Sequence, residues 1–381
     1  MSARLVPLAE VADRDAARWA ELAERSIDAH PFFEPRFLLT SARHRAEARD
    51  LAVVFAEDGD DLVAVLPIGI ESRIGGLPIR TVSTNGPFLR RWAGRHHPLV
   101  DASSPARALE LLLGGMRRLR QPGLLDLSRF PVDGPLAEAL AAAAQSTGAR
   151  VLEREREERV IALPDAAGST PWARTDAPDF VLPHRGGEAK RRIQRDARGL
   201  AAQLDAPLEL DDRGADPAGS AAEFLDLEDE GWKGDAARGG EGFRLTGQDG
   251  WFTEILAAFA ADGRLTVNVL GGGGTDVHLS VNLRSASAEF GFVDTFDRRF
   301  HKFRPGVLGR AAAMHKILRT PGTDYFDPCI NPSFVESQRL YPGIRTQASL
   351  LVAYGGVRSA GLLSALPAAR RIRDRLGRPR G

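Results

Sequence analysis

The chain has one cysteine, Cys329, in 381 residues, so no internal disulfide can form and a reducing compartment suits it. With no histidine in a recognisable partner motif, that thiol reads as a small core residue rather than a nucleophile. Neither sign of charge is in excess: 51 lysines and arginines match 51 aspartates and glutamates, which argues against a protein that coats DNA. The opening residues contain no basic stretch leading into an apolar run, so secretion is not expected and a cytoplasmic location is. Long apolar runs are missing as well. The nearest, Leu350 to Ala369, is broken by Gly355, Gly356, Arg358, Gly361 and Pro367, whereas a membrane span needs roughly twenty apolar residues. His96 and His97 have no cysteine or carboxylate cluster at ligand spacing, so they read as a surface loop and no metal is expected. Gly271 to Gly274 lacks the Lys-Ser/Thr ending of a P-loop and reads as a hairpin connection. No Gly-x-Ser-x-Gly elbow is present, which removes one serine-hydrolase reading.

What is present is ordinary globular material, 43% apolar and 27% charged, in a chain longer than one core usually serves. Helices are expected at Asp13 to Arg25, from Glu34, at Pro105 to Arg120 and at Pro135 to Ala144. Strands are expected at Leu51 to Phe55, Leu62 to Ile70, Leu77 to Val82, Leu124 to Leu127 and up to Leu163, with hairpin chemistry at Asp58-Gly-Asp60. Turn residues and prolines from Gly168 to Pro183 place a domain junction there. Helices then follow at Glu188 to Ala202, Ala221 to Glu230 and Trp251 to Ala261. Strands at Arg264 to Leu270, Val277 to Leu283 and Ala288 to Asp294 precede a helix at Val307 to Arg319 and a short strand at Asp324 to Phe326. Both halves run helix, hairpin, third strand, long loop, helix, strand. This predicts an α/β fold with mixed sheets in tandem related domains, 1–167 and 168–355, ending in a basic tail, 356–381, read as mobile, the alternative being a helix that touches anionic lipid or RNA.

The most informative stretch is Phe290 to Asp297, then Arg298 to Gly309, which opens a helix with Pro305 and Gly306. A strand feeding such a loop aims free backbone N–H groups and the positive helix end at an anion, with Lys302 and Arg304 beside them. Upstream lies Phe224 to Gly234, ending Trp232-Lys233-Gly234, and downstream Gly322 to Asp327. With the basic helix Lys190 to Arg195 and the Gly263-Arg-Leu-Thr-Val strand entry, these segments resemble the CelD/BioF2-like acetyltransferases. That family is a GNAT branch close to the Fem aminoacyltransferases. The resemblance covers roughly Asp179 to Asp327, with a looser likeness at Asp28-Ala-His-Pro-Phe-Phe33.

The resemblance implies two tandem GNAT-like (acyl-CoA N-acyltransferase) domains and a donor, acetyl-CoA or another acyl-CoA, gripped between two parallel strands that splay apart. The first strand is then near Glu289 to Asp294 and the second near Asp324 to Asp327. The phosphate loop comprises Arg304, Gly306, Val307, Leu308 and Gly309, with a spacing that departs from the commonest GNAT loop. Acyl transfer from a thioester needs a proton acceptor for the nucleophile and a polarised carbonyl. Glu289, Asp294 and Asp297 are the candidate bases, with Glu228 or Glu230 on the facing helix. Trp232, Lys233, Glu228 and Arg191 are candidates for holding substrate. The activity expected is acylation of an amine or hydroxyl of a small metabolite or cell-envelope or polysaccharide precursor. The alternatives are a Fem-like transferase using aminoacyl-tRNA and a non-catalytic GNAT-like binding factor.

Overall fold

The computed structural model describes residues 2–74, 76–164, 178, 180, 182 and 184–376. The chain forms two compact units, Met1–Glu157 with Thr346–Gly381, and Glu158–Arg345. Most of the expected junction at Gly168 to Pro183 lies outside the described residues.

The first unit contains β1 (Ser2–Pro7), α1 (Asp13–Glu24), α2 (Pro35–His44), α3 (Ala46–Arg49), β2 (Ala52–Asp58), β3 (Asp61–Glu71) and β4 (Thr81–Ser83). It continues with α4 (Pro87–Trp92), β5 (Leu99–Val100), α5 (Pro105–Arg118), β6 (Leu124–Pro131), α6 (Pro135–Thr147) and β7 (Arg150–Ile161). The second unit contains α7 (Gly187–Leu204), β8 (Glu209–Asp212), α8 (Pro217–Asp229), α9 (Asp249–Ala260), β9 (Leu265–Gly272) and β10 (Thr275–Ser285). It ends with β11 (Ala288–Phe296), α10 (Pro305–Arg319), β12 (Tyr325–Asp327) and α11 (Val335–Gln338), after which β13 (Gly343–Ala353) and α12 (Val357–Leu376) follow.

Turn chemistry fixes the hairpins. Gly59, at φ +64°, joins β2 to β3, and Gly273 and Gly274, at +58° and +77°, supply the two consecutive left-handed residues that join β9 to β10. The first sheet runs β1-β2-β3-β4-β6-β13-β7, with β5 on β3, and the second runs β12-β11-β10-β9-β8. In the first, β1 to β4 pair antiparallel and β4 then pairs parallel with β6. In the second, β8 to β11 pair antiparallel and β11 then pairs parallel with β12. One architecture therefore occurs twice, a mixed α/β fold in tandem.

In the second unit, α10 buries Leu308, Ala311, Met314 and Ile317 against Leu270 and Phe326, with Ile193 and Leu200 of α7 in the same core. The helices α8 and α9 bring Phe224, Trp251 and Phe252 into an aromatic cluster with Phe243.

Three expectations need correction. The segment after residue 355 is not a free tail: α12 runs to Leu376, and Leu363 and Leu366 are buried against Leu124, Leu351 and Ala353. The preceding strand β13, expected in the second domain, pairs with β6 of the first. His96 and His97 are not on a surface loop, since both are fully buried, and His96 Nε2 bonds to the carbonyls of Leu89 and Ala93 at 3.1 Å each. Among the described residues no helix is long and apolar enough to cross a membrane.

Burial, reinforced by the Arg129 guanidinium, lowers the His96 imidazole to about 3, and burial beside His97 lowers His30 as well. Both rings are neutral in the fold, whereas an unfolded histidine takes up a proton near pH 6.5. The His96 contribution to stability is therefore complete above about pH 6.5 and is lost as pH falls toward 3, by up to about 1.4 kcal/mol per pH unit, and the buried His30 adds a loss of the same sign. The unfolding midpoint in denaturant is expected to drop between pH 7 and pH 5, less steeply in His96→Gln. A midpoint independent of pH contradicts this.

Candidate functional site

The parallel strands β11 and β12 pair over only three positions, Ala288 with Tyr325, Glu289 with Phe326 and Phe290 with Asp327. Beyond them the backbones part. On β11, Asn282 of β10 faces Gly291 while Val281 faces Val293, so Phe292 is an extra, bulged residue that twists the strand. On the other side Cys329 adopts φ +49°, its N–H donated to the Asp327 carboxylate at 2.8 Å, and this turns the chain away. At the branch point a Cβ on Gly291 would lie 2.7 Å from the Pro328 carbonyl oxygen, so a side chain there would force the two backbones apart. The gap holds a cavity of about 270 Å³, lined by Phe292, Asp294, Arg310, Phe326, Cys329 and Tyr341 among others. Cys329 is thus a half-buried cavity residue rather than the core residue expected.

Asp294 and Arg310 face each other across this cavity's wall. Arg310 donates from Nε at 2.5 Å and from a terminal nitrogen at 3.0 Å, and His278 Nε2 lies 3.4 Å from the same carboxylate. Burial works against the charge of Asp294, but Arg310 and His278 outweigh it and hold the carboxyl far below its ordinary range. A carboxylate so stabilised is a weak proton acceptor. Tyr341 completes the wall, and burial raises its hydroxyl well above the usual phenol range, so it remains protonated. Lys233 donates to Glu228 at 3.3 Å and to the backbone carbonyl of Asp294 at 3.0 Å, tying α8 to β11 beside the cavity.

A second cavity of about 230 Å³ lies at the start of α10, lined by Arg185, Glu188, Arg192, Arg304, Glu336 and Arg339, with apolar residues that include Val307. Arginines outnumber glutamates there by four to two. Arg304, at the N-cap of α10, and Val307 in its first turn line the basic cavity, whereas Arg310 and Ala313, further along the helix, line the fork. Leu340 lines the first of these and Tyr341 the second.

The structure therefore brings Asp294, Lys233, Arg304 and Val307 to cavities and places other candidates elsewhere. Glu289 is buried where β11 and β12 are still paired, and its carboxyl is raised chiefly by that burial. Asp297 caps the 3-10 turn Arg298–Phe303, accepting from the Arg299 N–H at 2.8 Å and from its guanidinium, so its oxygens are occupied. Glu228 is buried and also accepts the Phe243 N–H at 2.8 Å, a structural role. Trp232 is 49% exposed, Arg191 is exposed on α7, and neither lines a described cavity. Within the expected phosphate loop, Arg304 is paired with Asp196 at 2.6 Å and Leu308 is buried in the core. Gly306 packs near Phe296, and Gly309 lies so close to His278 that a Cβ would fall 2.0 Å from its Nδ1. Sequence reasoning missed Arg310 and Tyr341. The three-residue spacing of Val307 and Arg310 on α10 could have pointed to Arg310, whereas nothing local marks Tyr341.

Comparison with known families places the acetyltransferase (GNAT) domain on residues 187–332, the segment that holds the fork, so the second unit carries a GNAT-type acyltransferase domain. No match to a curated protein sequence is found. Among solved structures the chain is similar to FemX, at 10% identity and TM-score 0.55, over 93% of this chain and 97% of that one. It is also similar to the C-terminal domain of a putative lysylphosphatidylglycerol synthetase from Agrobacterium fabrum, at 13% identity and TM-score 0.50, over 92% and 95%. A conserved protein of unknown function from Bacteroides thetaiotaomicron matches at 15% and 0.50, over 90% and 98%. At these identities the likeness is one of fold, and it extends over both units.

Two substitutions test the packing that holds the site. Gly309→Ala is expected to cost about 1–3 kcal/mol in denaturant unfolding, because α10 or His278 must move; an unchanged midpoint contradicts the close approach. Arg310→Met strands the Asp294 carboxylate and is expected to cost roughly 3 kcal/mol, much of it regained in Arg310→Met with Asp294→Leu. Equal losses in the single and double variants would contradict the pairing.

Proposed function

We propose that the second unit transfers an acyl group, acetyl first among those to test, from acyl-CoA to an amine or hydroxyl. The acceptor on this reading is a small metabolite or a cell-envelope or polysaccharide precursor. The observation that carries the reading is the fork: an open gap between two parallel strands, with an arginine-lined cavity at the start of the same helix, α10, that borders the gap. A thioester arm fits the gap, and its diphosphate finds Arg185, Arg192 and Arg339 near the positive end of α10.

Within the fork the carbonyl of Asp294 points toward Lys233, so the N–H on the same strand edge is directed at the cavity and can polarise the thioester carbonyl. The acceptor nitrogen or oxygen attacks that carbon, the C–S bond breaks and the thiolate takes a proton from the Tyr341 hydroxyl. The proton released by the acceptor passes to the same oxygen as that proton leaves, so no free phenolate forms where burial disfavours one. Asp294 holds Arg310 in place and is not the base. The domain assignment that accompanies this reading puts the working site wholly in the second unit.

A second reading, in which the donor is an aminoacyl ester of tRNA, is favoured by the basic face of α7 and accords with the fold shared with FemX and a lysylphosphatidylglycerol synthetase domain. Calorimetry with acetyl-CoA separates the two. Binding is expected, weakened about tenfold or more by Arg192→Glu with Arg339→Glu, since each removes a charge contact to phosphate. Tyr341→Phe is expected to keep binding while lowering thiol release to a panel of amines and alcohols about a hundredfold. No heat at millimolar acetyl-CoA, with charged tRNA retained on filters, would replace the first reading by the second.

A further inference from the structure

Beside the two cavities lie exposed apolar side chains and exposed arginines, with Glu188 and Glu336 the acidic residues among them. Phe334 and Val335 are 62% and 56% exposed, large values for apolar side chains side by side in sequence. Phe334 also lines the fork cavity, and five residues further on the exposed Arg339 lines the basic one with Arg192. From Arg192 the positive charge continues along α7 to the exposed Arg195. It then crosses to the turn Arg298–Phe303, which packs on the same helix: Arg304 pairs with Asp196, Lys302 donates to Gln203 at 3.2 Å, and the Phe303 ring lies against Gly199. Arg298 and Lys302 are exposed on that turn.

We infer that this face docks on an anionic lipid surface, with Phe334 and Val335 entering the headgroup region and the flanking cations resting on lipid phosphates. This goes beyond acyl transfer, since docking does not require it, and it names how an acceptor anchored in lipid would reach the fork. Charge complementarity selects an anionic partner. The exposed apolar pair Phe334 and Val335 selects a bilayer over RNA, because an aliphatic side chain inserts among headgroups but offers no ring on which a base can stack.

Flotation of the full chain with vesicles tests this, using phosphatidylcholine alone and phosphatidylcholine with about 30% phosphatidylglycerol. Partition into the anionic vesicles only is expected, and it should be reversed by roughly 0.5 M salt. Val335→Asp alone, and Arg195→Glu with Arg298→Glu, are each expected to lower partition about tenfold. None of these residues lines a cavity, so acetyl-CoA calorimetry on the same variants reports fold and donor site separately: lost flotation with retained heat supports docking, whatever the activity. Failure of the wild type to float, equal flotation of wild type and variants, or retention of tRNA on filters without flotation would each overturn the inference.

Discussion

Two parallel strands that begin paired and then part need something to hold each backbone once its ladder partner has gone, since an unpaired strand edge tends to find another. In the second unit four local features do this. The bulge at Phe292 twists β11 away, and the absence of a side chain at Gly291 lets Pro328 pass at the branch point. The left-handed Cys329 turns the other chain outward, and Lys233 takes up the Asp294 carbonyl that β12 no longer reaches. The Arg310 and Asp294 pair then fixes α10 to β11 across the base of the gap. The opening is a property of these few residues, and the chemistry assigned to the site depends on it.

The first unit shows what happens when such an opening is filled. There β4 and β6 pair in parallel at Val82 with Leu125 and Ser83 with Asp126, and just beyond them Arg129 and Phe130 of β6 contact the chain that follows α4. Arg129 donates to the Ala93 carbonyl and lies 3.5 Å from His96 Nε2, while His97 meets the Phe130 ring edge-on. The buried histidines that read as a loose loop are packing material for this repeat. The same architecture therefore serves as an open fork in one unit and as a closed core in the other.

Legibility in the sequence followed the range of the interactions. Hairpins set by Gly59 and by Gly273 and Gly274, and helices with apolar faces such as α5, are written locally and were readable to within a few residues. Strands β1, β8 and β13 were not, because their pairing partners lie far away in sequence: Leu350 pairs with Leu127, and nothing near Leu350 says so. In the site, the resemblance carried by the order of strand, loop, helix and short strand implied two parallel strands, and β11 and β12 are that pair. The roles of single carboxylates were less visible. Asp294, Asp297 and Glu289 look alike in a sequence, and only their partners, a buried guanidinium, a turn's amides and a paired strand, tell them apart.

The claim at the centre is that the gap between β11 and β12 receives the donor's thioester arm. Hydrogen exchange of backbone amides, read with and without saturating acetyl-CoA, addresses it directly. Slower exchange confined to the second unit, at Phe292 to Asp294, at Cys329 and at the start of α10, is the result expected. Unchanged exchange at those amides while protection appears elsewhere in the chain would contradict it.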